Sequence, residues 1–263
     1  MAKRHLIIDG DIPLYSIGFS IEEPVDWGND FWTLHADMQT AREAMVIWVD
    51  KLCEATKTKE VVVALSSSDN WRKDLYPLYK ANRAGKRKPV VYNPLKDFIF
   101  QRWEVVLFPR LEADDVLGIL SKTGKTYQDI LVSSDKDLKC VPGRHFDPDR
   151  PEDGIRRISP VDAYKHSMVQ ALTGDSTDNY KGCPGVGPVA AEKILKDLEP
   201  GEMWEAVVAR YAKSGLTEEE AMTQAMLAHI LLPGETSFAG PGDVSGSVDL
   251  DAVQAGIRNG PAG

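Results

Sequence analysis

Four short apolar runs constrain the fold of this chain more than any other feature. Leu6-Ile7-Ile8, Val61-Val62-Val63-Ala64-Leu65, Val105-Val106-Leu107-Phe108 and Ile130-Leu131-Val132 are continuous, not alternating. A strand with one wet face alternates apolar and polar residues. A continuous, largely β-branched run suits a strand buried on both faces, as in a parallel sheet covered by helices. Helical patterns lie between the runs. Asp37 to Thr56 sets Ala41, Ala44, Met45, Trp48 and Leu52 at helical spacing, and residues 113–122 open with acids, which suit a helix N-terminus. The expected fold is therefore α/β, with a mostly parallel central sheet flanked by helices. Such sheets place their sites at the carboxyl ends of the strands.

From Ser159 onward the pattern is helical. Residues 233–263 hold seven Gly and three Pro. The expectation is one domain over 1–235 and a weakly ordered tail over 236–263, with one short helix from Asp249 to Ile257.

Nine acids fall in four clusters: Asp9 and Asp11; Glu112, Asp114 and Asp115; Asp135 and Asp137; Asp175 and Asp178. Three of the clusters follow apolar runs. Carboxylates gathered at strand ends repel one another unless a cation sits between them, so the pattern points to divalent metal and a phosphate substrate. The net charge of -9 is not an argument against a nucleic-acid partner. There are 40 acids and 31 bases, so these nine acids account for the whole excess. Cys53, Cys140 and Cys183 are scattered and odd in number, which suits reduced thiols. No apolar run approaches the roughly 20 residues of a membrane span. The first residues read as a strand and not a signal peptide, so a cytoplasmic protein is expected.

Each cluster has a plainer reading. Glu112-Ala113-Asp114-Asp115 could cap a helix. Ser133-Ser134-Asp135-Lys136-Asp137 could be a polar turn. Asp175 and Asp178 could cap as well. Gly182-Cys183-Pro184-Gly185-Val186-Gly187-Pro188 precedes a helical stretch, Val189 to Leu195, whose N-terminus offers free N–H groups to a phosphate. The stretch from Arg72 to Lys88 holds Arg72, Lys73, Lys80, Arg83, Lys86, Arg87 and Lys88 against Asp74 alone, with Trp71, Tyr76 and Tyr79 interleaved. That mixture suits a nucleic-acid backbone track, and Lys80 and Arg83 are spaced to reach one phosphate.

The order of these motifs is more specific than any one of them. Strand-Asp-Gly, Tyr-Lys-Ala-Asn-Arg, Glu-Ala-Asp-Asp, Ser-Asp-Lys-Asp and Gly-Asp-x-x-Asp-Asn with Gly-x-x-Gly-x-Gly-Pro resemble, from Leu6 to Leu232, the flap endonuclease/5′-3′ exonuclease family. Its phage-type and bacterial members are the most similar. The resemblance implies a PIN-like sheet and a C-terminal helical region, about 160–232, with a helix-three-turn-helix that binds DNA. It implies two Mg²⁺ or Mn²⁺ ions. Asp9, Glu112 and Asp114 match the ligands of the first, and Asp135, Asp137, Asp175 and Asp178 surround the second, with Asp115 near both. Lys80 and Arg83 match the pair that steers the scissile phosphate. Gly182, Gly185, Val186 and Gly187 match the duplex-binding turn with its K⁺ ion. Lys193 and the bases Arg72, Lys73, Lys86, Arg87 and Lys88 join them as DNA-binding residues.

One departure stands out. The family has a further Asp ligand just after the second strand, where this chain reads Ser66-Ser67-Ser68-Asp69. Asp69 is the only carboxylate available there: either it swings in as a metal ligand, or a serine and water take its place. Asp11 stands where the family does not usually have a ligand, and is a further candidate for the metal. The implied activity is metal-dependent hydrolysis of DNA near 5′ ends to leave 5′-phosphates, on duplex, flap or nicked substrates or an RNA–DNA hybrid, by a monomer. The alternatives are a PIN-like ribonuclease, which lacks the Gly-x-Gly turn, and a catalytically weak junction-binding relative.

Overall fold

The computed structural model describes residues 4–121 and 129–235. The Gly-rich tail, with the helix expected from Asp249 to Ile257, lies outside the described residues. The strands are β1 His5–Asp9, β2 Glu23–Asp26, β3 Trp32–His35, β4 Glu60–Ala64, β5 Glu104–Val106, β6 Ile130–Val132, β7 Gly143–Phe146 and β8 Arg156–Ile158. The helices are α1 Asp11–Ser20, α2 Met38–Thr56, α3 Arg72–Leu75, α4 Tyr92–Arg102, α5 Ala113–Leu120, α6 Pro160–Thr173, α7 Pro188–Ile194, α8 Pro200–Lys213 and α9 Glu218–Ala228.

The main sheet runs β5-β4-β1-β6-β7-β8. All its pairings are parallel except β7 with β8. All four apolar runs lie in it, although the third strand is shorter than expected and ends at Val106. β7 and β8 carry Arg144, Arg156 and Arg157 and extend one edge without an apolar run of their own. β2 and β3 form a separate antiparallel hairpin with Trp27, Phe31 and Trp32 exposed.

Burial on both faces follows the period of two. Ile7, Ala64 and Leu131 face α5, packing with Val116, Leu117 and Leu120. Leu6, Ile8, Ile130 and Val132 face the other way onto Val49 and Leu52 of α2. Val63 and Leu65 meet α1, α2 and α4 on that side. A separate core joins α6, α7, α8 and α9 through Leu172, Val207, Tyr211 and Ala221.

The chain from α6 to α7 crosses itself closely. The Cys183 N–H donates to Leu172 O at 2.8 Å, and a Cβ on Gly182 would stand 2.2 Å from the Gly174 nitrogen. Both glycines have positive φ, +66° and +64°, which L side chains rarely adopt. No helix among the described residues is long and apolar enough to cross a membrane. The three cysteines are free thiols.

Candidate metal and phosphate site

β1 and β6 are neighbours, while the next strands in the chain leave β1 on its other side, toward β4 and β5. Loops from the two directions part at this point, and a crevice opens at the carboxyl ends. A cavity of about 810 Å³ lies there. Asp9, Asp11, Glu112, Asp114, Asp135, Asp137 and Asp178 reach its wall, as do Lys80 and Arg83.

Backbone geometry delivers these acids. Asp9 ends β1 and is held by the Asp11 N–H at 3.2 Å and the Ser133 hydroxyl at 3.1 Å. Asp135 caps a 3₁₀ turn, Lys136–Cys140, by accepting from the Asp137 N–H at 2.8 Å. Asp175 accepts from Thr177 and Asp178 N–H groups. The capping reading therefore holds for Asp135, where it coexists with a place on the cavity wall, while Asp175 closes a turn that no helix follows.

The Tyr79–Arg83 segment docks against the loop after α6. Lys80 N–H donates to Asp178 O at 2.8 Å, Asn82 Nδ2 to Ser176 O at 3.0 Å, and Asn179 Nδ2 to Leu78 O at 2.7 Å. Lys80 has a left-handed φ of 55°. Its ammonium pairs with Glu112 and lies 3.5 Å from Asp178, and Arg83 lies 2.6 Å from Asp178. The Tyr79 hydroxyl is 2.9 Å from a carboxylate oxygen of each acid.

The acids divide into neutralised and unneutralised groups. Burial opposes the charge on Glu112, but Lys80 and Arg72 outweigh it and bring its pKa down to about 2. Lys136, 3.0 Å away, likewise overcomes burial at Asp175 and lowers its pKa. Asp9 is pushed up to about 7, first by burial and then by Asp11. Burial and the charges of Asp9 and Asp135 raise Asp114 far above the carboxylate range. Burial and Asp135 push Asp137 up to about 7.

Among the described residues, no three His, Cys, Asp or Glu side chains converge closely enough to hold a metal ion in this arrangement. Lys80, Arg83 and Lys136 draw Glu112, Asp178 and Asp175 into ion pairs instead. The chemistry of the site nevertheless fits a hard divalent cation. The donors are all carboxylates, and Asp114 Oδ1 is buried with no hydrogen-bond partner. A carboxylate whose folded pKa lies above its unfolded value favours folding at low pH and loses that contribution as pH rises through about 7. A cation would relieve the charged form, so adding Mg²⁺ is expected to raise Tm more at pH 8 than at pH 5. Equal shifts in calorimetry at both pH values would contradict this.

Several sequence-derived assignments need correction. Asp115 does not reach the cavity wall. It is fully buried, and both its oxygens are 2.7 Å from the Arg72 guanidinium. It also accepts from the Glu112 N–H at the start of α5, so at this residue capping prevails. Arg72 is equally unavailable to DNA. It is 3% exposed and donates as well to Glu112, Leu227 O and His229 O. Asp69 is 65% exposed and turned toward Arg110, away from the cavity. Asp11 is at the cavity, accepting from the Ser66 N–H at 3.2 Å, next to the segment that lacks the expected Asp.

Gly182 is buried and donates to Gln224, and Val186 belongs to the helical core. Gly185, Gly187 and Lys193 are exposed. Lys73 and Lys88 line the cavity, Lys86 is exposed, and Arg87 is paired with Glu22 at 2.5 Å. Sequence reading passed over Ser133, Gln170, Tyr15 and Tyr92. Only tertiary packing brings the last three to the cavity wall. Ser133 did carry a local signal, as a hydroxyl two residues before Asp135.

Residues 4–146 match the family described as 5′-3′ exonuclease, N-terminal resolvase-like domain. The exonuclease of Escherichia phage T7 is 29% identical over 273 residues, covering 90% of this chain and 91% of its own. The flap endonuclease Xni of Shewanella baltica is 29% identical over 172 residues, 61% of this chain and 66% of its own. A phage T5 protein co-crystallized with metal ions shares the fold, with a TM-score of 0.65 and 16% identity over 97% of each chain.

Proposed function

Because this chain belongs to the 5′-3′ exonuclease family, we propose that its acidic cavity hydrolyses phosphodiester bonds near the 5′ ends of DNA to leave 5′-phosphates. The observation that carries this reading is the meeting of Asp9, Asp114, Asp135 and Asp137 with Lys80 and Arg83 in one cavity. On this reading residues 1–235 form the nuclease domain. Asp9, Glu112 and Asp114 would hold one Mg²⁺ or Mn²⁺, with Asp11 beside them, and Asp135, Asp137, Asp175 and Asp178 would surround another. Bound there, the ions would activate water and stabilise the leaving oxygen.

The chain's own residues do the rest. A phosphate entering the cavity competes with Glu112 and Asp178 for Lys80 and Arg83, which then offset charge growing on the phosphoryl oxygens. Tyr79 keeps the segment that carries these bases docked on both acids. Lys73 and Lys88 add to the positive lining. Duplex phosphates would meet the region from about 160 to 232, at the exposed Gly185, Gly187 and Lys193, where K⁺ would also bind. Such contacts read no sequence.

The test is product mapping on a 5′-labelled flap, a blunt duplex, a nicked duplex and an RNA–DNA hybrid, with Mg²⁺ and with EDTA. Undiminished cleavage in EDTA would defeat the proposal. Lys80→Ala is expected to slow single-turnover cleavage on the order of 10²-fold or more while DNA affinity changes little. An equal loss in both would make Lys80 a tether only.

A further inference from the structure

At the cavity wall a polar relay reaches Asp137 from α6. The Gln170 side-chain amide donates to Asp137 Oδ1 at 2.5 Å. The same side chain's Oε1 accepts from the Cys140 thiol at 2.8 Å. Gln170 is 6% exposed and Cys140 5%. The secondary structure makes this bridge available. Asp137 and Cys140 are three residues apart on the 3₁₀ turn Lys136–Cys140, and a 3₁₀ helix eclipses side chains at that spacing. One amide can therefore span both.

We infer that Gln170 is a positioning residue for Asp137, with its amide orientation set by Cys140. The inference rests on the reading of the acidic cavity as the cation-holding site. An amide beside a carboxylate has two orientations, and only one presents N–H. Cys140 S–H is a donor, so it holds the amide oxygen and turns the amide nitrogen toward Asp137. The reversed amide would set its oxygen against the carboxylate. Gln170 thus fixes Oδ1 of Asp137 from the protein side, with the Lys136 ammonium 3.8 Å from the same oxygen. Ser167, one turn earlier on α6, is a second polar neighbour of the thiol. The relay ties α6, the first helix of the C-terminal region, to the acid on the 3₁₀ turn that follows β6. Groups bonded to a metal ligand in this way commonly set metal affinity by 10–100-fold.

The test uses the full chain and Mn²⁺ alone, without DNA, followed by calorimetric titration. Gln170→Met keeps the volume and removes the donor. It is expected to weaken Mn²⁺ binding at one site by roughly tenfold or more, with Tm in EDTA close to that of the parent. Cys140→Ala should move binding in the same direction and Cys140→Ser, which keeps a donor, should restore it. If Gln170→Met does not fold, the Cys140 pair decides. Parental Mn²⁺ binding in Gln170→Met alongside weakened binding in Asp137→Asn would overturn the relay and leave the site reading standing. Parental binding in both would overturn the relay together with the placement of a cation at Asp137. Equal loss in Cys140→Ala and Cys140→Ser would overturn the thiol's role.

Discussion

Asp114→Asn is expected to cut DNA cleavage on the order of 10³-fold, equivalent to about 4 kcal/mol in the barrier, and at the same time to make the metal-free protein more stable. The two effects have one cause. Asp114 is buried against Asp9 and Asp135, and burial and those charges hold its pKa far above the usual range. Its Oδ1 has no hydrogen-bond partner. A neutral amide of the same shape removes the repulsion, which should add about 1–2 kcal/mol. It also removes a donor that a divalent cation needs. Single-turnover cleavage in Mg²⁺ and thermal unfolding in EDTA measure the two sides. Asp135→Asn is expected to lose cleavage to a similar degree. A variant that keeps full turnover, or that is less stable than the parent in EDTA, would show that Asp114 is a structural acid.

Arg72→Met is expected to destabilise the fold by about 3–5 kcal/mol, because it leaves a buried carboxylate without its partner. Asp115 would lose both guanidinium bonds, and Leu227 O and His229 O would lose a donor. Arg72 thus fastens the segment after β4 to α5 and to the last turn of α9 with the residue that follows it. The double variant Arg72→Met with Asp115→Leu should recover most of the loss, since no uncompensated charge remains. Chemical denaturation of the parent and the two variants measures this. If the single variant matches the parent, the ion pair contributes nothing to stability. Asp114 and Asp115 are adjacent in sequence, yet neutralising them should shift stability in opposite directions.

That contrast shows where sequence reading stopped. Each apolar run was long enough and β-branched enough to mark a parallel strand. The position of Asp9 at a strand end followed directly. Motif order across Leu6 to Leu232 marked the family, and residues 4–146 match it. Glu112-Ala113-Asp114-Asp115 was legible as an acidic cluster but not as two roles, because which acid faces the cavity depends on the rotation of α5 against β1 and β4. The basic stretch was legible as positive, but burial of Arg72 depends on a partner 43 residues away. Gln170 gave no signal, because an amide on a helix means little until the opposing 3₁₀ turn is in place.

By itself the sequence determined the class of fold, the strand ends that carry acids, and the oxygen-rich chemistry of the cavity. These depend on local periodicity and residue type, which are properties of short segments. The tertiary structure alone decided which acids are paired, which are left charged against one another, and which bases are spent on holding the fold. These depend on distances between segments far apart in the chain, and the pairing of a buried charge is a property of such distances.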